Sequence, residues 1–489
     1  MSSTSGAPED LSKKVSRAVA WVGAASAAVA VIDAITLALL LAFWVTQADV
    51  GVTTLAVTLF YFLDLATEAG LGSVIIQKLE LDEDALSSVF WLNVMISGGL
   101  FLAMLGIGPL IGWIQGSPVV GLMLIVYATK LLYQNVYFVP AALLRKELRF
   151  KELSMVRTVA NFGDVAGRIG FAAAGEPVWC FVAGPLVRIA ITGIGLQIVR
   201  PWRPRFVLHL THAREWLVFA GKTASSQALQ HLYNNIGYQI VGGFFGDQAL
   251  GAYRVAYELV LYPVNFVSNI ITQVAFPAFA RLRHNRDELA AQFFAFSRQN
   301  LAMVLPILVV IAVSAPDILA LAFSRVTGAA TPARILCLVG MLRAVDCLYL
   351  PLLDGVGVAG RNTIVALVAA LVLTACDVVF SLALGPSLGF VAVAVGRIVG
   401  YPLVIALHAS MTLTQLGRRT RDYVGRHLGI LACGAVGVAV GATIAVLMDG
   451  LTPAWRLPIV ATAALGSVVW LLSATQGLGP LSLVLRKKS

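Results

Sequence analysis

Apolar runs of about 20 residues, rich in Leu, Val and Ala, recur along the whole 489-residue chain. A helix of that length at 1.5 Å per residue covers the roughly 30 Å hydrocarbon core of a bilayer, where every backbone polar group must be satisfied within the protein. A membrane barrel would instead show short alternating segments, and the sequence has none. Only 12% of the residues are charged and 59% are hydrophobic, against about 25% charged in soluble domains. A water-soluble enzyme is excluded, and the chain reads as an all-α polytopic membrane protein.

Apolar windows between polar or Gly/Pro breaks predict fourteen spans: 19–45, 51–74, 86–114, 119–143, 152–174, 177–199, 216–245, 250–276, 293–322, 334–353, 363–384, 388–413, 428–448 and 457–476. An even number puts both termini on one side. With the N-terminus cytoplasmic, twenty-three basic residues fall in inside segments, such as Arg145, Lys146, Arg149 and Lys151, and three outside: Arg325, Arg334 and Arg456. That asymmetry obeys the positive-inside rule and explains the net charge of +10 without a nucleic-acid partner. The outside loops are short, which leaves no room for an external catalytic domain. The polar tail 1–18 precedes an apolar run too long for a removable signal, so the first helix is expected to be an uncleaved anchor. The five cysteines lie in apolar spans without a CxxC pair and read as packing residues; no metal or cofactor is expected.

Spans two and eight begin alike, DVGVTTLAVTLFYF at 49–62 and ALGAYRVAYELVLY at 249–262, which fits a six-plus-six arrangement split at the basic loop 200–214. The expected plan is a tail at 1–18, a six-helix lobe at 19–210, a second at 211–420, and two additional helices with a basic tail at 421–489.

A charge at the bilayer centre costs about 2.5–3.5 kcal/mol on insertion scales and usually faces a partner or water. The spans nevertheless contain Lys130, Arg157, Arg168, Arg188, Lys222, Arg254, Arg298, Arg343 and Arg397, with Asp33, Asp64, Glu68, Asp164, Glu258, Asp346 and Asp377. All lie in the first twelve spans, so the last two are expected to face lipid at the periphery. Arg157, Asn161, Asp164 and Arg168 share one helical stripe, as do Arg254, Glu258, Asn265, Asn269 and Gln273. Span seven adds Lys222, His231, Asn234, Asn235 and Gln239 among others. Such faces are expected to line a hydrated cavity between the two halves. The bland readings are equally physical: Arg157, Lys222 and Arg298 can snorkel to an interface, and Asp164–Arg168 and Arg254–Glu258 can be i,i+4 ion pairs. Asp64 and Glu68 are either a protonatable pair or counter-ions.

Several segments resemble a known family: EAGLGSVIIQKLELDEDALSSVFWLN at 68–93, VPAALLRKELRFKEL at 139–153, EPVWCFVAG at 176–184 and AYRVAYELVLYPVNFVSNIITQVAFPAFARL at 252–282. They are similar to the oligosaccharide flippases of the polysaccharide transporter branch of the multidrug/oligosaccharidyl-lipid/polysaccharide superfamily. WVTQADVG at 44–51 departs from the pattern expected after the first helix. The resemblance implies about fourteen transmembrane helices in two six-helix lobes plus two peripheral helices. It also implies alternating-access transport of a polyprenyl-(pyro)phosphate-linked oligosaccharide across the cytoplasmic membrane.

On that reading Lys130, Arg157, Arg168, Arg188, Lys222, Arg254, Arg343 and Arg397 are the candidate substrate-binding residues. Asp33, Asp64, Glu68, Asp164, Glu258 and Asp346 are the ion-coupling or counter-ion candidates. The expected partners are the lipid-linked oligosaccharide, membrane lipids, a coupling ion (H+ or Na+), and a polysaccharide polymerase or glycosyltransferases. The alternatives are a cation-coupled multidrug exporter of the same superfamily and a non-transporting membrane scaffold.

Overall fold

Residues 29, 31–64, 71–77, 82–147, 149–209, 213–356, 362–418 and 420–478 are described by the structure, a computed structural model. The tail at 1–18, Glu68 and the C-terminal basic residues lie outside the described residues, as do the side chains of Asp64 and Lys222. Among the described residues there are helices and no strands.

The helices are α1 (Val31–Phe43), α2 (Gln47–Asp64), α3 (Leu71–Gln77), α4 (Glu83–Ile114), α5 (Pro118–Ala128), α6 (Lys130–Tyr133), α7 (Asn135–Lys146), α8 (Phe150–Ala173) and α9 (Cys180–Val199). They continue as α10 (Ala213–Leu282), α11 (Arg286–Ala322), α12 (Ala330–Asp346), α13 (Tyr349–Val356), α14 (Asn362–Leu388), α15 (Val391–Gln415), α16 (Thr420–Leu447) and α17 (Pro453–Thr475). The described part of each of the fourteen expected spans falls on one of these helices, on part of one, or on short helices in succession. Among the described residues nine are long and apolar enough to cross a membrane alone. Trp113, Ile198, Val446 and Trp455 are each more than two-thirds exposed, as side chains that face lipid should be.

Local chemistry sets the ends. Asp82 caps α4 by accepting from the Ala85 N–H at 2.6 Å, and Asn285 caps α11 by accepting from Glu288 at 3.3 Å. Acidic residues follow in both first turns, Glu83 and Asp84 in α4 and Asp287 and Glu288 in α11, where the helix dipole favours them. Gly246 breaks α10 at φ 81°, ψ 177°, a conformation essentially reserved for glycine, so that 70 residues become two spans rather than one rod.

The fourth span is bent by 56° between Pro118–Tyr133 and Asn135–Lys146. Pro140 has no N–H to offer the Val136 carbonyl. Gln197 Nε2 on α9 donates to that carbonyl instead, at 2.7 Å. At the bend itself Asn135 Nδ2 donates to the Leu131 and Leu132 carbonyls at 3.0 and 3.3 Å, and Asn93 on α4 donates to Asn135 Oδ1 at 2.7 Å. Freed backbone groups are thus answered by side chains, the condition for breaking a helix inside a membrane.

The chain divides into two compact units, Met1–His231 and Leu232–Ser489, with the division inside α10. In the first, α8 packs on α9 where Gly167 meets Gly184. In the second, α14 packs on α15 with Gly396 against the backbone of Cys376 and Asp377. Small residues let membrane helices approach closely, and van der Waals contact then holds them. The last two helices pack on α11, Gly434 against Leu305 and Gly441 against Val313, and carry exposed apolar faces, as expected of peripheral helices. All five cysteines are free thiols.

Candidate functional site

In the first unit, Asp164 on α8 is fully buried and draws in two arginines. Arg168, one turn on, binds it in bidentate fashion, Nε to Oδ1 at 2.9 Å and Nη2 to Oδ2 at 2.8 Å. Arg188 reaches the same carboxylate from α9, Nη1 to Oδ2 at 3.5 Å. Gly184 makes this possible: a Cβ there would collide with the Asp164 carboxylate and the Arg168 stem. Arg168 is largely buried, whereas the Arg188 side chain is 38% exposed. Asp33 on α1 lies within electrostatic range of Arg168.

Lys130 on α6 is buried beside Tyr127, with Nζ 3.4 Å from the phenol oxygen and 5.4 Å from the ring centre. Tyr127 itself stacks on Phe60 at 3.6 Å. Arg157 is exposed on α8, and His231 places Nε2 3.0 Å from the Thr58 carbonyl. The same unit holds a cavity of about 780 Å3 among Trp91, Asn135, Gln197, Trp202 and Arg203, which contains none of the expected site residues.

In the second unit the charges gather around tyrosines. Tyr238, Tyr253 and Tyr257 on α10 have ring centres 5.1–6.1 Å apart. Arg254 donates to Glu258 one turn on, at 2.8 Å. From α12, Arg343 donates to the Tyr257 hydroxyl and to Asn234 Oδ1, both at 2.9 Å, while that hydroxyl donates to the Asn234 carbonyl at 2.8 Å. Arg397 on α15 is 1% exposed and donates from Nε to Asp377 on α14 at 2.8 Å. Asp346 at the end of α12 meets His408 on α15, and Arg298 donates to Gln476 at 3.2 Å.

Arg168, Arg188, Asp164 and Asp33 therefore form one cluster, and Arg254, Glu258, Arg343, Asp377 and Arg397 form another around the tyrosines. Arg168, Arg254 and Arg397 each hold a carboxylate. Arg343 donates to Tyr257 and Asn234, and Arg188 shares a carboxylate with Arg168. Sequence reasoning missed Tyr238, Tyr253, Tyr257 and His408. Tyr253 and Tyr257 were detectable, since they are spaced i,i+4 beside Arg254 and Glu258. His408 sits alone in an apolar stretch and gave no signal.

A helical scaffold with lipid-facing apolar surfaces carries the charged clusters, which defines a multi-pass membrane protein. Residues 40–326 match the family described as Polysaccharide biosynthesis protein, and the chain belongs to it. It is similar to the teichuronic acid biosynthesis protein TuaB of Bacillus subtilis (strain 168), 28% identical over 289 residues that cover 58% of this chain and 59% of that one. The chain thus matches about three-fifths of that relative's length. Its fold is similar to that of the lipid II flippase MurJ in an inward closed conformation, with TM-score 0.72, 11% identity, and coverage of 92% of this chain and 97% of MurJ. It is also similar to an inward-facing multidrug resistance transporter of the MOP superfamily, with TM-score 0.57, 15% identity, and coverage of 78% and 98%.

Proposed function

We propose that the chain flips a polyprenyl-(pyro)phosphate-linked oligosaccharide across the cytoplasmic membrane by alternating access, for surface or cell-wall polysaccharide biosynthesis. Both termini are cytoplasmic in this reading, and the lobes are 19–210 and 211–420, with 421–489 appended. The observation that carries it is the pair of guanidinium groups on Asp164. Arg168 already fills that carboxylate, so the half-exposed Arg188 has donors to offer an anionic headgroup, and its planar fork suits phosphate. Arg343, bonded to Tyr257 and Asn234, is the candidate headgroup arginine of the second unit. Membership of a family described by polysaccharide biosynthesis and the naming of TuaB for teichuronic acid biosynthesis support the substrate class.

A charge-assisted hydrogen bond contributes about 1.5–3 kcal/mol, so Arg188→Gln and Arg343→Gln should each weaken headgroup binding roughly 10- to 100-fold. The test is to delete the gene and complement it with these variants, then measure on which leaflet the lipid-linked sugar accumulates. Accumulation on the cytoplasmic side, reversed by wild type and in part by Arg188→Lys, is the expected result. Unchanged lipid-linked sugar with raised drug sensitivity would identify an exporter instead.

A further inference from the structure

The cavity of about 780 Å3 in the first unit belongs to neither charged cluster. Its volume falls within the roughly 300–1,000 Å3 of small-molecule sites. Phe90, Trp91 and Val94 of α4 line it, together with Leu132, Val136 and the loop 201–204 that follows α9. Pro201 and Pro204 of that loop have no N–H to offer.

The polar groups of the cavity wall are already engaged. Asn135 donates to the Leu131 and Leu132 carbonyls and accepts from Asn93. Gln197 donates to the Val136 carbonyl at 2.7 Å and accepts from the Trp202 N–H at 3.2 Å. The indoles of Trp91 and Trp202 donate to the Arg205 carbonyl at 2.8 Å and to Glu83 Oε2 at 3.0 Å. Arg203 differs: it lines the cavity, is exposed, and its side chain makes no hydrogen bond or ion pair among the described residues. The arginines on either side of it are spent, Arg200 on Glu147 and Arg205 on Asp84, each at 3.0 Å. An occupant therefore meets carbon surface and one unclaimed guanidinium.

That combination is complementary to an acidic amphiphile, whose hydrocarbon fills the hollow while its phosphate pairs with the arginine. The surroundings suit a lipid. Leu132 and Val136 are 43% and 49% exposed, and Phe206, 91% exposed, stacks on Trp91 at 5.4 Å. Aromatic rings interleaved with arginines are the composition of a membrane interface. The loop also falls on the expected cytoplasmic side, where acidic lipids attract basic side chains.

We propose that this cavity binds an anionic phospholipid of the surrounding bilayer, with an acyl chain between α4 and the bend of the fourth span and the phosphate on Arg203. The site goes beyond the flippase reading and does not depend on it. A phospholipid, which surrounds the protein at all times, is favoured over lipid-linked cargo because the cavity shares no residue with the headgroup candidates. The acyl chain lies against Asn135 and Gln197, and so screens from water the side-chain bonds that secure the bend.

Two measurements test this. The first places the protein in phosphatidylcholine nanodiscs doped with phosphatidylglycerol or phosphatidylcholine brominated on the acyl chains, since bromine quenches an indole it touches. The contribution of the cavity is the quenching lost in Trp91→Phe. It should reach half its maximum at a roughly fivefold lower fraction of the anionic lipid than of the zwitterionic one. Arg203→Gln should erase that preference, and Arg203→Lys should keep most of it. Equal quenching by the two lipids in wild type, no difference between wild type and Trp91→Phe, or a preference that survives Arg203→Gln with an unchanged size-exclusion profile overturns the proposal. The second is native mass spectrometry of protein extracted from its own membranes. A retained anionic phospholipid that is lost in Arg203→Gln supports the proposal, whereas a retained polyprenyl-linked sugar lost in the same variant overturns it and gives the cavity to the cargo.

Discussion

Arg397 and Asp377 pose the energetic question most sharply, because both are almost fully buried. Removing one member of a buried pair costs about 3–5 kcal/mol, whereas replacing both with apolar groups is often neutral. Asp377→Asn should therefore lower the unfolding midpoint in detergent markedly, and the double variant Asp377→Leu/Arg397→Met should recover most of the loss. Singles as stable as wild type would show that the pair does not hold α14 to α15. Outside the membrane, Glu147 is partly desolvated, which pushes its carboxyl up, but hydrogen bonds from Arg200 at 3.0 Å and Arg149 at 3.3 Å outweigh this and hold it below its usual 4.5. A lowered carboxyl contributes stability above its unfolded value and loses it as pH falls through the folded one. Hydrogen exchange at 145–152 should therefore quicken below pH 4.5 in wild type, and less so in Glu147→Gln, where the Glu152 carboxyl, also held low, still pairs with Arg149.

Among the elements, α8 and α9 show how closely packing and charge depend on each other. Gly184→Val would drive a side chain into Asp164 and Arg168, separating the helices and dispersing the cluster at once. The expected outcome is loss of monodisperse protein on size exclusion, while Gly466→Val, where a Cβ meets nothing within 4 Å, should be tolerated. The local pairs Asp164–Arg168 and Arg254–Glu258 were legible in the sequence because one helical turn fixes their geometry. Arg397–Asp377, twenty residues apart, and His408–Asp346, sixty-two apart, were not, because helix packing alone creates them. The spans themselves were legible because each must satisfy its own backbone in lipid, whatever its neighbours do. The Gly246 break was legible only as a gap between spans.

At the scale of the whole molecule, an even number of spans requires both termini to share a compartment. Cysteines introduced at Ser12 and Ser489 should react with an impermeant maleimide only after the cytoplasmic side is opened. Labelling of one but not the other in intact cells would break the even count, and labelling of both would overturn the orientation. Cys180, Cys337 and Cys433 are buried and should contribute little background.

The substitution of Gln197 for a missing backbone donor at Val136 has a mechanical consequence. A bond inside a helical ladder cannot open without loosening a whole turn, but an amide reaching over from α9 can swing away alone, at about 0.5–1.5 kcal/mol. The fourth span thus contains a ready-made crease, and the Gln197 amide is a polar clasp to the helix that bears Arg188, beside the apolar packing of Tyr137 and Ala141 with Ile189 and Leu196.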